Sequence, residues 1–140
     1  MTNFVSYSFS ARSCKPGWYT YNSFCYKISD ELTSFNQANS SCINEGAVLI
    51  FIEDFDELDF LDTILAADEK VFVGMTDIAE EGQWVWMDGS TVTLDPLWHG
   101  NFPTGGTERN CAEYVQNNGF RDRSCDVNRK YVCKYSFLDM

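Results

Sequence analysis

The chain has 140 residues, a length that suits one domain with its own core. With 10 Lys and Arg residues against 21 Asp and Glu, its formal net charge is −11, which argues against nucleic acid and anionic membrane surfaces as partners. No apolar run approaches the roughly 18 residues that a membrane span requires, which argues against direct membrane insertion.

Capping residues predict two helices in the first half of the chain. Ser34 and Gln37 have the spacing of a capping box, and a buried stripe follows, so we predict a helix over residues 35–45. Asp54 and Glu57 open a second helix in the same way. Both helices precede most of the predicted strands.

Strand patterns dominate elsewhere. Aromatic and alternating segments predict a hairpin over residues 17–28 and a buried strand over residues 47–52. Later strands are predicted at residues 71–75, 83–87, 111–115, 119–125 and 130–135. Helices that come early and strands that come late indicate an α+β domain. Residues 88–110 show neither the helical nor the strand pattern of apolar residues. A loop this long in a compact domain is usually functional or disordered. We expect it to be ordered, because Cys111 fastens its end.

Six cysteines give the chain its most specific pattern, and they occupy positions 14, 25, 42, 111, 125 and 133. Six cysteines admit fifteen pairings. Pairing near neighbours gives two short loops and leaves Cys42 with Cys133 as a long closure. The absence of Cys-x2-Cys spacing and a single histidine, His99, argue against zinc. An even count indicates an oxidising, extracellular compartment, either as a secreted protein or as the ectodomain of a membrane protein.

Together these residues resemble the C-type lectin-like domain. Gly17-Trp18 with Cys25-Tyr26 is similar to the N-terminal hairpin of the family's six-cysteine form, residues 72–75 lie where the family has its Trp-Ile-Gly-Leu core motif, and residues 84–89 match the strand that follows. The resemblance implies two helices, two small antiparallel sheets and a long ligand-recognising loop. It also implies the pairing Cys14–Cys25, Cys42–Cys133 and Cys111–Cys125. We expect residues 1–12 to form an N-terminal tail, residues 13–136 the domain, and residues 137–140 a C-terminal tail.

The family's primary calcium site is not matched. Sugar-binding members hold the ion with a Glu-Pro-Asn or Gln-Pro-Asp triplet, a glutamate before the next cysteine, and an Asn-Asp pair. Here Phe102 begins the triplet, Arg109 takes the glutamate's place, and Arg121 precedes the one matching carboxylate, Asp122. Phenylalanine cannot ligate calcium and guanidinium groups oppose it. We therefore expect no calcium at the primary site, although a one-residue loop shift would bring in Glu108.

An auxiliary calcium site is left open by the resemblance. Asp77 and Glu81 match two of its ligands and Asn110 stands near a third, while Gly105 replaces an expected aspartate. The alternative is that Asp77 is a turn residue and Glu81 a surface charge.

Without calcium, the long loop and the later strands would have to bind a ligand by direct side-chain contact. The candidates are Trp98, Asn101, Phe102, Thr104, Glu108, Arg109, Arg121 and Asp122. Two alternatives stay open: Trp98 as an anchor between loop and core, and Arg109 with Asp122 as one structural ion pair.

The leading hypothesis is a non-enzymatic extracellular module that binds a glycan or an extracellular protein. The alternative is a calcium-dependent carbohydrate-binding lectin with a non-standard ligand set drawn from Glu108, Asp122, Asp77 and Glu81. An enzyme is disfavoured because no nucleophile and base stand in a recognisable arrangement. A mineral-binding acidic protein fits the charge but lacks a regular acidic repeat. Asn39-Ser40-Ser41 is a glycosylation sequon, and a homodimer remains open, since no heptad stalk argues for a trimer.

Overall fold

The structure is a computed structural model that describes residues 13–93 and 98–139. The predicted N-terminal tail, residues 1–12, lies outside the described residues, as do residues 94–97 of the predicted loop and Met140. The described residues form two α-helices, eight strands and one 3-10 helix. In chain order these are β1 (Tyr19–Tyr21), β2 (Phe24–Ile28), α1 (Phe35–Asn44), β3 (Val48–Leu49), α2 (Phe55–Ile64), β4 (Lys70–Thr76), β5 (Val85–Trp86), β6 (Cys111–Val115), β7 (Gly119–Arg123), β8 (Lys130–Ser136) and the 3-10 helix (Phe137–Asp139).

The strands form one mixed sheet in the order β1-β2-β8-β4-β6-β7, with β3 added to β8 and β5 added to β4. All pairings are antiparallel except that of β4 with β8, where Val71 lies opposite Lys130 and Phe72 opposite Tyr131. This short parallel pairing joins the two antiparallel sheets that the resemblance implied. The predicted α+β fold is confirmed.

Both helices begin at the predicted caps. The Ser34 hydroxyl accepts a hydrogen bond from the Gln37 N–H, and the Asp54 carboxylate accepts one from the Glu57 N–H at 2.8 Å. These side chains satisfy backbone donors that have no partner within a helix. Helix α1 ends before Gly46, whose φ of 75° is readily adopted by glycine.

Three predicted strands are shorter than expected. Residues 119–125 form a strand only at Gly119–Arg123, and the other two contract because neighbouring backbone segments interlock. Residues 47–52 pair as a strand only at Val48–Leu49, since the Ile50 N–H donates to Val132 while its carbonyl accepts from Gly74. A Cβ at Gly74 would lie 2.8 Å from the Leu49 carbonyl oxygen, so this close approach requires glycine. The predicted strand over residues 83–87 contracts to Val85–Trp86 in the same region.

Three disulfides link Cys14 to Cys25, Cys42 to Cys133, and Cys111 to Cys125, with Cα–Cα distances of 5.5, 5.4 and 5.1 Å. The pairing implied by the resemblance is confirmed. The Cys42–Cys133 bridge joins α1 to β8, so it connects the first third of the chain to its last strand.

The core has two parts, one against each helix. One lies against α2 and includes Leu61, Val73 and Phe120, and the other lies against α1 and includes Phe35 and Phe72. Strand β7 stands at the edge of the sheet, and the long loop returns along it: the His99 N–H donates to the Phe120 carbonyl at 2.8 Å. The fold therefore places the loop beside β7.

Candidate functional site

The carboxylate of Asp122 fastens the long loop to β7. It is fully buried, with 0% exposure, and accepts hydrogen bonds from the N–H groups of Thr104 and Gly105, each at 2.9 Å. The Thr104 hydroxyl lies 3.2 and 3.1 Å from its two oxygens. Backbone and hydroxyl donors therefore surround this predicted ligand-binding carboxylate.

Arg109 also contacts Asp122. Its guanidinium donates to the Asp122 carbonyl at 2.8 Å, and its Nε lies 3.6 Å from Oδ2. The Arg109 side chain is 34% exposed, while the Asp122 side chain is fully buried. The structure thus places these two residues in the ion pair that the sequence left open as an alternative.

Phe102 and the arginines of β7 form a separate surface, which we call the arginine–phenylalanine patch: Phe102, Arg121 and Arg123. The guanidinium carbons of Arg121 and Arg123 lie 5.5 and 5.3 Å from the centre of the Phe102 ring. Cations at this distance are attracted to an aromatic face. The residue after Phe102 is Pro103, and the peptide bond between them is cis.

Strand alternation explains why both arginines meet the same ring. Phe120 and Asp122 are buried, whereas Arg121 and Arg123 are half-buried on the other side of β7. Arg121 forms no ion pair or side-chain hydrogen bond within residues 13–93 and 98–139, and its Nε is buried without a partner. Its terminal guanidinium nitrogens therefore remain as donors for another molecule.

Glu113 sets the charge of this surface and was not singled out by sequence reasoning. Its fully buried carboxylate pairs with Arg123 at 3.1 Å and with Arg129 at 2.6 Å. Glu113 also lies opposite Arg121 in the β6–β7 register. One carboxylate thus pairs with two arginines, and a third arginine lies opposite it in the register. Period-2 alternation in Arg121-Asp122-Arg123 was the signal that could have added Arg123 to the candidates.

Trp98 packs as an anchor between loop and core. Its ring lies 5.1 Å from that of Trp84 and 6.3 Å from that of Phe120. His99, which sequence reasoning did not place in the site, has its ring 6.3 Å from that of Phe102 and a buried Nδ1 without a partner. Of the other candidates, Asn101 and Glu108 are exposed.

The primary calcium position offers few ligands in this arrangement. Within the described ranges, no group of three or more His, Cys, Asp or Glu side chains is placed to hold a metal ion. Asp122 already accepts several hydrogen bonds, and Arg109 and Arg121 bring positive charge. These residues do not fit calcium, which requires six to eight oxygen ligands.

The auxiliary candidates, Asp77, Glu81 and Asn110, form a second group that shares no residue with the patch. Asp77 is 2% exposed; its Oδ2 accepts from the Gly82 N–H at 2.9 Å, and its Oδ1 has no partner. Asn110 Oδ1 is also buried without a partner, and the Asn110 carbonyl accepts from the Asp77 N–H. Partial desolvation and a hydrogen bond with Asp77 raise the pKa of Glu81. Unsatisfied oxygens beside a second carboxylate fit a weak cation site.

No helix in the described part of the chain combines the length and apolar character needed to cross a bilayer. Asn39 of the sequon lies on α1, half-buried, and does not belong to the loop site.

Comparison with known proteins identifies relatives by sequence. A family model described as "Lectin C-type domain" matches residues 31–135. CD209 antigen-like protein A of Mus musculus is 31% identical over 125 residues, which cover 88% of this chain and 52% of that protein. The chain therefore spans about half the length of this curated relative.

Solved structures agree with that family match. The mouse scavenger receptor C-type lectin carbohydrate-recognition domain has a TM-score of 0.83 and 27% identity, covering 88% of this chain and 96% of that one. The C-type lectin domain of murine dendritic cell inhibitory receptor 2, solved in complex with an N-glycan, has a TM-score of 0.80 and 28% identity, covering 89% and 99%.

Proposed function

This chain belongs to the C-type lectin domain family, and from that premise we propose that it is an extracellular, non-enzymatic module that binds acidic carbohydrate directly through the arginine–phenylalanine patch. The observation that carries the proposal is the free guanidinium of Arg121 beside the ring of Phe102. No calcium ion at the primary position takes part.

Local charge supports an acidic ligand. Glu113 pairs with Arg123 and Arg129 and lies opposite Arg121 in the β6–β7 register, so three arginines and one carboxylate give this region two excess positive charges within a chain of net charge −11. Asp122 neutralises Arg109 nearby. A planar guanidinium donates two parallel hydrogen bonds to a carboxylate or a sulfate, so it suits sialylated and sulfated sugars.

Carbohydrate is the preferred ligand class for two reasons. The relative that is 28% identical was solved with an N-glycan, and Phe102 offers an apolar face next to charged donors. Sugar rings have both apolar faces and polar edges, and this combination matches them. Asn101 and Thr104 lie in the same loop and add neutral polar groups.

Calcium-dependent binding by the family's usual route is disfavoured by the residues present. Phe102 has no ligating atom, the Asp122 oxygens are taken up by Thr104 and Gly105, and guanidinium groups repel a divalent cation. In this proposal the arginine side chains replace the calcium ion of sugar-binding family members: they bind and orient the acidic group of the ligand.

A glycan array tests this proposal. The disulfide-intact protein is applied to neutral, sialylated and sulfated glycans, once with calcium and once with EDTA. We expect binding to acidic glycans in both conditions and reduced binding at high salt. Binding that disappears in EDTA would favour the calcium-dependent lectin, and a blank array would favour a protein ligand.

A weak calcium site at Asp77, Glu81 and Asn110 is a second proposal, supported by the two buried oxygens without partners. Calcium there would neutralise the adjoining carboxylates and stiffen the start of the loop region. Calorimetry with calcium should show weak uptake that is lost in Asp77→Asn. No heat at millimolar calcium would remove this site without affecting the arginine–phenylalanine patch.

A further inference from the structure

An apolar groove lies between α1, β3 and the turn after β5, remote in sequence from the arginine–phenylalanine patch. Its volume is about 410 Å³, and its lining includes Ile43, Val48, Phe51, Trp86 and Met87. Ile43 is 57% exposed and Met87 45% exposed, so large apolar side chains face solvent here. An open apolar groove of this kind marks a surface that another group covers.

Asn39 lines the same groove. It stands one helical turn before Ile43, so both side chains lie on the same face of α1. Its side-chain amide forms no hydrogen bond within the part of the chain that the structure describes, which leaves Nδ2 available for a covalent bond. Asn39 begins Asn39-Ser40-Ser41, the only Asn-x-Ser/Thr sequence with a residue other than proline at its centre in all 140 residues.

We propose that Asn39 carries an N-linked glycan whose first sugar covers this groove. The Asn39 Nδ2–C1 bond forms as the C1–O bond to a lipid diphosphate donor breaks; the lipid diphosphate leaves with the electron pair, and the proton lost from Nδ2 passes to solvent. The acetamido methyl and apolar face of N-acetylglucosamine then pack on Ile43 and Met87. This arrangement removes exposed apolar surface from water without a protein partner.

Glycosylation at Asn39 does not depend on the ligand proposed for the arginine–phenylalanine patch. The groove shares no residue with Phe102, Arg121 or Arg123, so loss of the glycan leaves binding at that patch intact. A second copy of the chain or another protein in the groove would be a different occupant, and the experiment distinguishes them.

The test uses the full chain secreted from a eukaryotic cell line, compared with Asn39→Gln and Ser41→Ala. Both variants destroy the sequon, and Ser41→Ala keeps the asparagine as a matched control. Intact mass should show a glycan on the wild type that peptide N-glycosidase removes, converting Asn39 to aspartate. Neither variant should carry it.

An apolar fluorescent dye then reports on the groove. We expect the glycosylated protein to bind severalfold less dye than either variant, and Met87→Ser in the Asn39→Gln background to remove most of the difference. Because enzymatic deglycosylation of the folded wild type should produce the same increase, the test does not require the variants to fold. An unmodified Asn39, equal dye binding with and without the glycan, or self-association of the glycosylated protein through Ile43 would each overturn the proposal.

Discussion

The buried carboxylate of Asp122 accepts the backbone N–H of Thr104 at 2.9 Å, so one side chain of β7 fixes the position of a loop residue 18 places earlier in sequence. This hydrogen bond attaches the long loop to the edge strand of the sheet. It also explains why a carboxylate that matches the family's metal ligands in sequence has a structural role here.

Removing that carboxylate should loosen the loop. Asp122→Ala leaves the Thr104 and Gly105 N–H groups and the Arg109 charge without their acceptor, so we expect a loss of about 3 kcal/mol in the free energy of unfolding. Urea denaturation measures it. Thr104→Val, which replaces one hydroxyl with a methyl group and keeps the backbone N–H, should cost about 1 kcal/mol, and equal costs for the two changes would contradict the assigned role.

A buried lysine gives the second prediction. Lys134, with 0% exposure, lies 2.5 Å from Glu57, donates to the Phe51 carbonyl at 3.0 Å and lies 3.7 Å from the Phe51 ring centre. Lys134→Met should cost about 3–5 kcal/mol, because Glu57 is left as a buried charge without its counter-ion.

Adding Glu57→Gln to Lys134→Met should recover part of that loss, since the substituted glutamine carries no charge and its amide oxygen can still accept from the Tyr26 hydroxyl. A double-mutant cycle measured by urea denaturation gives the coupling energy. Strictly additive costs would show that the ion pair contributes nothing.

The three disulfides should contribute unequally to the free energy of unfolding. Chain-entropy arguments give about 4.5 kcal/mol for Cys42–Cys133, whose ends are 91 residues apart, and about 3 kcal/mol for Cys14–Cys25, 11 residues apart. Replacing each pair by alanine and comparing midpoints of chemical denaturation tests the order. The reverse order would mean that local strain or residual unfolded structure outweighs loop length.

Alkaline pH should destabilise the fold through two tyrosines. Burial, followed by hydrogen bonds to Glu57 and Asp62, raises the pKa of Tyr26 and Tyr114 above the ordinary value of 10.0. Above pH 10.0 the unfolded chain loses these protons while the folded chain keeps them, so the free energy of unfolding falls as pH rises.

Phenolate absorbance measures this effect. Of the seven tyrosines, Tyr26 and Tyr114 should ionise only as the protein unfolds, and Tyr114→Phe should remove one of these late steps. Full ionisation of all phenols in a folded protein near pH 10 would contradict the assignment.

Most of the fold could be predicted because its signals are local. Ser34 and Asp54 mark the starts of the helices, and the cysteines together with the core motif indicate the family, whose resemblance implies the disulfide pairing. The lengths of the strands around Val48 and Val85 could not be predicted, because they depend on how Gly74 packs against the Leu49 backbone.

The site was harder to predict because it depends on which side of β7 each residue occupies. Arg109, Arg121 and Asp122 were all candidates, yet their environments differ: Asp122 is buried under the loop and Arg121 faces Phe102. Glu113 gave no sequence signal, since a glutamate in an apolar strand is visible as a charge centre only once Arg123 and Arg129 converge on it.

Binding of acidic glycans by Arg121→Gln, compared with the wild type and with Lys27→Gln, tests the central claim most directly. Lys27 is a matched control, because it also loses one positive charge but lies on β2 in an exposed pair with Glu45. We predict a loss of about tenfold or more for Arg121→Gln, equivalent to about 1.4 kcal/mol, with Lys27→Gln unchanged, in calcium and in EDTA alike. Undiminished binding by a correctly folded Arg121→Gln would contradict recognition through the arginine–phenylalanine patch.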